Sequence, residues 1–283
     1  MFSFIFSALL NIVLDLVFII GFDLGTFGAA LATDVSQGVS AVLCLIYICK
    51  KVDVLKPKKS DWRPDRVYTA KQLNIGIPMA LQFGITASGT MVMQASINIY
   101  GSVAVGGFTA AGKVTNLMTA GMPSIGQTMA AYVGQNFGKG DLDRVHKGTK
   151  DAMLIMTVYS IIVGVLSVAT LPFIVSLFFD KGVNIAEYLP YAKTYISFCA
   201  PMYIPLAMIF IYRNSMQGMG YGKTALMLGV MELIARLVTA FVSLRMQSYT
   251  VAVAGDAMAW LTTGIFSFFL YLVVLKQLRT KFK

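Results

Sequence analysis

Charge is what this sequence has least of: Asp, Glu, Lys and Arg make up 13% of its 283 residues, about half the share of an ordinary soluble domain. With 57% hydrophobic residues, water is not its main solvent, and a soluble globular fold is excluded. Histidine is all but missing. His146 is the single one, lies in a charged stretch without a Cys or second His to complete a metal site, and reads as a solvated loop residue. The three cysteines, Cys44, Cys49 and Cys199, sit in apolar segments without metal-ligand spacing and read as helix-packing residues. No HExxH, no GxSxG and no Cys/His pairing occurs, so the sequence offers no enzyme chemistry. Gln217-Gly218-Met219-Gly220-Tyr221-Gly222-Lys223-Thr224 ends like a phosphate-binding loop, yet Gln217 stands where the first glycine belongs and no strand precedes it, which excludes nucleotide binding there. The N-terminus is apolar from Met1 and lacks the basic flank and small-residue cleavage site of a signal peptide. It reads as a spanning helix whose upstream flank is missing.

What the chain has in abundance is apolar runs of bilayer-spanning length. They predict an all-α integral membrane protein with eight spans, near 2–21, 28–49, 72–100, 103–133, 151–178, 191–217, 224–245 and 252–275. An even number puts both termini on one side. The loops 50–71 and 139–150, the turn at Lys223 and the tail from Lys276 then hold 17 of the 23 basic residues, against Lys181, Lys193 and Arg245 on the other side. The positive-inside rule makes the basic side cytoplasmic, at the cell membrane, and accounts for the formal charge of +10 without nucleic acid. Residues 51–71, with Pro57, Pro64 and alternating charges, read as a cytoplasmic linker. Asp180 to Pro190 reads as a short external turn, with Tyr188 and Tyr191 as interfacial anchors. Pro78, Pro123, Pro172, Pro201 and Pro205 predict kinked helices within the spans.

Few polar residues interrupt the spans, and each is a candidate. Asn11 and Asp15, four residues apart, share one face of the first span, where a carboxylate and an amide can hold a cation or a proton; the alternative is that Asp15 reaches the outer interface. Glu232 and Arg236 repeat that spacing with opposite charges, as an intramembrane charge pair or a lock between helices. Gln82, Gln94, Ser96 and Asn98 give the third span a polar face, suited to a wetted cavity or to interhelical hydrogen bonds.

These residues resemble a known family. Leu10-Asn11-Ile12-Val13-Leu14-Asp15, then Gly28-Ala29-Ala30-Leu31-Ala32-Thr33 with Ser36-Gln37, is similar to the fifth and sixth helices of MATE (multidrug and toxic compound extrusion) transporters. Gly76-Ile77-Pro78, Gly134-Gln135-Asn136-Phe137-Gly138-Lys139-Gly140 and Gln217-Gly218-Met219-Gly220 follow in the family's order. The resemblance implies the C-terminal two-thirds of such a protein: residues 1–50 as the last two helices of an N-lobe, 51–71 as the inter-lobe linker and 72–283 as a six-helix C-lobe. It implies a secondary active antiporter that exports cationic or amphipathic compounds in exchange for H+ or Na+, with the missing N-terminal helices needed for full function. Asn11, Asp15 and Thr33 inherit the cation or proton site, without the partner carboxylate of the first helix and with Leu16 in place of the usual proline. No C-lobe carboxylate stands at the family's positions in the Phe83–Ser88 and Pro205–Met208 regions. Gln82, Met91, Met93, Gln94 and Asn98 are expected to line the C-lobe side of the substrate path. A lipid-linked oligosaccharide flippase of the same superfamily, or a non-transporting membrane scaffold fragment, is the alternative.

Overall fold

The computed structural model describes residues 2–53, 56, 63, 65–179 and 184–281. Ten α-helices run through them: α1 (Phe2–Asp15), α2 (Gly25–Lys51), α3 (Arg66–Asn98), α4 (Ser102–Thr119), α5 (Gly121–Gly138), α6 (Leu142–Ser176), α7 (Ile185–Cys199), α8 (Tyr203–Gly218), α9 (Gly222–Met246) and α10 (Tyr249–Lys281). A π-helical turn, Leu16–Gly21, continues α1, and a 3-10 turn, Ala200–Met202, joins α7 to α8. No strand occurs among the described residues. Seven helical stretches are long and apolar enough to cross a membrane. The remaining expected span, 103–133, is the pair α4 and α5, whose Lys113, Asn116, Gln127 and Asn136 make it more polar than the others.

The spans are longer than their apolar cores. α3, α6 and α10 have 33, 35 and 33 residues, and at 1.5 Å per residue each is roughly 50 Å long, well beyond the ~30 Å hydrocarbon core. Arg66, Lys71, Arg144, Lys147, Lys150, Lys276 and Arg279, expected in loops, therefore sit on helix ends. Once a backbone is helical in lipid it gains nothing by unwinding at the interface, and polar side chains simply continue it. The linker reading applies only to the stretch between α2 and α3, much of which, with Lys58 and Lys59, lies outside the described residues, as do Lys181 and Lys283. The turn before α7 is also shorter than expected. Asp180 is outside the described residues, and Tyr188, Pro190 and Tyr191 belong to α7.

The chain divides into two compact units, Met1–Thr69 and Ala70–Lys283. In the first, α2 turns Gly28, Ala32, Ser36 and Ser40 inward, one small residue per turn. Small residues let two backbones approach closely where no hydrophobic effect drives them together. The closeness is visible in the bonds: Ser7 Oγ donates to Ser36 O at 2.7 Å, Ser40 Oγ to Ser3 O at 3.4 Å, and Ser3 Oγ lies 3.2 Å from Cys44 Sγ. Cys199 is fully buried and Cys44 half-buried, but Cys49 is exposed.

The second unit packs the same way on a larger scale. Ile75, Gln82 and Gly89 recur every seven residues on α3, and they meet Gly222, Gly229 and Arg236 at the same spacing on α9, the seam of two parallel helices. A Cβ on Gly229 would come within 2.9 Å of Gln82 Cγ. Glycine likewise allows α4 to touch α7, where a Cβ on Gly107 would lie 2.6 Å from Tyr188 O, and α8 to touch α5, where one on Gly218 would lie 2.5 Å from Ala130 O. At the centre stands Tyr203, wholly buried. Its hydroxyl donates to Thr115 Oγ1 of α4 at 3.4 Å and lies 3.2 Å from Ser167 Oγ of α6, while Ser160 Oγ donates to its carbonyl at 3.1 Å.

The prolines act unevenly. Pro201 lies in the 3-10 turn that breaks the span between α7 and α8, and Pro123 follows the break between α4 and α5, each withdrawing one N–H from the ladder. Pro78 and Pro172 lie inside α3 and α6, which continue as α-helix through them. The family-like loops resolve into turn chemistry. Gly140 (φ +78°) and Gly220 (φ +87°) take the left-handed region that glycine adopts without steric cost. Asp141 Oδ1 then caps α6 by accepting from Arg144 N at 2.9 Å.

Candidate functional site

In the first unit the structure brings Asn11, Asp15 and Thr33 to one neighbourhood. Asn11 Nδ2 donates to Thr33 Oγ1 across the helix pair at 3.5 Å, and Thr33 Oγ1 donates to Ala29 O at 3.0 Å. Asp15, one turn beyond Asn11 on the same face, keeps Oδ1 buried with no hydrogen-bond partner. It does not end the helix. The backbone widens there from α to π and continues to Gly21, and single π turns inside α-helices are frequent at functional sites. A half-buried carboxylate with a free oxygen, an amide and a hydroxyl together suit a proton or a small hard cation. Among the described residues no cluster of three or more His, Cys, Asp or Glu side chains could hold a metal ion.

On α3 the expected polar face divides in two. At about 100° per residue, Met91, Gln94 and Asn98 fall within roughly 60° of one another, whereas Gln82 points about 180° away from Met91. Met91 is exposed, and Gln94 Nε2 donates to Asn98 Oδ1 at 3.0 Å. Gln82 is 1% exposed, with Nε2 donating to Thr86 Oγ1 at 3.2 Å and Oε1 unpartnered. Ser96 and Met93 are also buried. Gln82 and Met93 therefore belong to the interior of the unit, because the α9 seam claims that side of the helix. Only Met91, Gln94 and Asn98 remain available to line a path.

Glu232 and Arg236 form the expected pair, and a third charge joins them. Arg236 donates from a terminal guanidinium nitrogen to Glu232 Oε2 at 3.3 Å and from Nε to Asp256 Oδ1 of α10 at 3.0 Å. Asp256 Oδ2 accepts from Tyr195 Oη of α7 at 2.9 Å. Gly89 of α3 lies over the guanidinium, where a Cβ would meet its Cδ at 3.2 Å. Four helices thus close on one buried cation shared by two carboxylates, which is the lock between helices rather than an isolated i,i+4 pair. Asp256 escaped the sequence reading, although an acid within Val253-Ala254-Gly255-Asp256-Ala257 carries the same signal as Asp15. The other two cations within spans rest on rings: Lys113 Nζ lies 4.6 Å from the Phe178 centroid and the Arg213 guanidinium 5.2 Å from that of Phe210.

His146 is a correction. It lies in α6, half-buried, with Nδ1 buried and unpartnered and its ring stacked on Tyr271 of α10 at 6.5 Å. The helix begins at Leu142, earlier than the apolar run, because its polar first turns pack back on the unit.

Comparison with known proteins follows the same lines. A probable multidrug resistance protein of Bacillus subtilis, YpnP, is 33% identical over 142 residues, which are 50% of this chain and 31% of that protein. The multidrug export protein MepA of Staphylococcus saprophyticus is 32% identical over 105 residues, 36% of this chain and 23% of that protein. The matches thus span a third or less of those relatives' length. The fold is similar to that of a multidrug resistance MATE family transporter of the MOP superfamily solved in an outward-facing conformation, with TM-score 0.88 and 19% identity over 98% of this chain and 62% of that one. The MatE family profile matches residues 78–242, more than half of the sequence, from Pro78 in α3 to the last turns of α9, and the chain belongs to that family of membrane transporters.

Proposed function

We propose that this chain serves a secondary active efflux antiporter of the cell membrane, exporting cationic or amphipathic small molecules in exchange for H+ or Na+, with both termini cytoplasmic. The observation that carries the proposal is Asp15, a carboxylate at the junction of α1 and its π turn, within a stretch of membrane-spanning length, with one oxygen buried and unpartnered near Asn11 and Thr33. Such a group is costly in lipid unless it periodically takes a cation or a proton. Asn11 would orient the bound ion and Thr33 complete its oxygen shell. Met91, Gln94 and Asn98 would supply an uncharged, adaptable surface on which a bulky cation loses little hydration. The Glu232–Arg236–Asp256 lock has its charges engaged with one another and would hold the second unit together as it moves.

The test is dye efflux from cells expressing the protein from its full reading frame, comparing the wild type with Asp15→Asn at matched membrane abundance. The expected outcome is loss of ethidium efflux with abundance retained. Efflux at the wild-type rate in Asp15→Asn would remove Asp15 from coupling and overturn the reading.

A further inference from the structure

The stretch Ile185–Gly218 is apolar enough to cross a membrane as one span, yet it breaks at Ala200–Met202. Beside the break lies a cleft of about 670 Å³ against α6, a volume suited to a small ligand. Gly164 of α6 lines it where the two backbones come close, since a Cβ there would lie 3.2 Å from Ala200 O. Ile161, Val165 and Val168, all exposed, form the α6 wall, and Ser197, Ala200, Pro201 and Ile204 form the other. The last charged residue of α6 is Asp151. At 1.5 Å per residue, residues 160–169 begin roughly 14 Å beyond it, deep in the apolar part of the helix.

The side-chain polar atoms of this cleft are all of one kind. Ser160 Oγ donates to Tyr203 O at 3.1 Å and Ser197 Oγ to Thr194 O at 2.8 Å, so each hydroxyl has used its one hydrogen and keeps only lone pairs. The helix break adds carbonyls to them. Ala200 N–H goes to Ile196 O, Pro201 has no N–H to give to Ser197 O, and Pro205 has none to give to Pro201 O. No lining side chain is charged or carries a free donor. An acyl chain in the cleft would leave these acceptors bare in hydrocarbon, where an unpaired polar group is costly. An ion would find no counter-charge among the lining residues. The group that fits is an uncharged donor. We propose that the cleft binds an uncharged amphiphile taken from the bilayer, with an apolar body and one hydroxyl or amide N–H that donates to the acceptors at the Pro201 break. The body lies along Ile161, Val165 and Val168, which are otherwise exposed. This inference does not depend on the transport reading.

Photolabelling of the purified chain in lipid nanodiscs tests this, with three probes that share one diazirine-bearing chain: tetradecanol, its methyl ether and its trimethylammonium analogue. The ether keeps the oxygen and loses the donor, and the third probe carries a charge. Adducts of the alcohol, mapped by peptide mass spectrometry, should concentrate on residues 161–169 and 197–204 and be displaced by excess plain tetradecanol. The ether and the cation should each label there at least threefold less. Leu154, Ile155 and Val158, exposed on the same helix outside the cleft, are the internal control and should show no displacement. Val168→Trp, a change at an exposed position that fills the cleft from outside, should remove the adducts on 197–204. Equal labelling by alcohol and ether, or alcohol adducts spread evenly from Leu154 to Val168 without displacement, would overturn the proposal, and both are read on the wild type even where the variant fails to fold.

Discussion

Replacing Arg236 with methionine keeps an unbranched, flexible apolar stem and removes the cation from between two carboxylates. Arg236 is 4% exposed, and its partners sit at 3.3 Å and 3.0 Å. Asp256 would keep the bond from Tyr195, but Glu232 would lose its hydrogen bond and keep only the attraction of Arg213. Removing one member of a buried ion pair costs about 3–5 kcal/mol, mostly the penalty of leaving charge without a partner rather than the worth of the bond itself. The expected loss for R236M is therefore about 3–5 kcal/mol. If orphaned charge is the cause, removing it should restore stability. The triple variant E232Q/R236M/D256N, in which the amide can still accept from Tyr195, should stand within about 1–2 kcal/mol of the wild type, since a fully neutral replacement of a buried ionic group is often close to neutral. Unfolding in mixed dodecylmaltoside and SDS micelles would measure both. Trp260, 6.2 Å from Tyr203 in the core, reports the unfolding in a Trp62→Phe background. A single variant within about 1 kcal/mol of the wild type, or a triple variant as unstable as the single, would refute this account.

Gly229→Leu should push α3 away from α9, because even a Cβ would meet Gln82 backbone O at 3.3 Å and Cγ at 2.9 Å; overpacking of this kind costs about 1–3 kcal/mol, read by the same unfolding assay, and Gly84→Leu, where nothing lies within 4 Å, is the control that should cost much less. Asp141→Ala removes the cap of α6 and should lower stability by about 1 kcal/mol, with Asp141→Asn close to the wild type; an equal loss in both would argue against capping.

Bilayer solvation was legible in the residues themselves. Apolar length depends on one-dimensional composition alone, so seven of the eight expected spans appear as long apolar helices. The small-residue stripe Gly28, Ala32, Ser36 and Ser40 came to light only in the packed helix pair, although its period of four is present in the sequence. Spacing along a helix also foretold that Glu232 reaches Arg236. It could not say that Asp256, twenty residues on from Arg236, comes to the same guanidinium, because that proximity depends on how α9 and α10 fold against each other. The same limit separates Gln82 from Asn98. Both are amides on one helix, and only the choice of neighbour makes one interior and the other exposed. His146 looked solvated because its sequence neighbours are charged, yet the face it presents is decided by α10. Intramembrane polar residues declare themselves by their cost in lipid, but in lipid the apolar surface exerts no directional pull, so which groups meet is settled by backbone approach through glycine and by hydrogen-bond pairing. Both of those are properties of the packed helices.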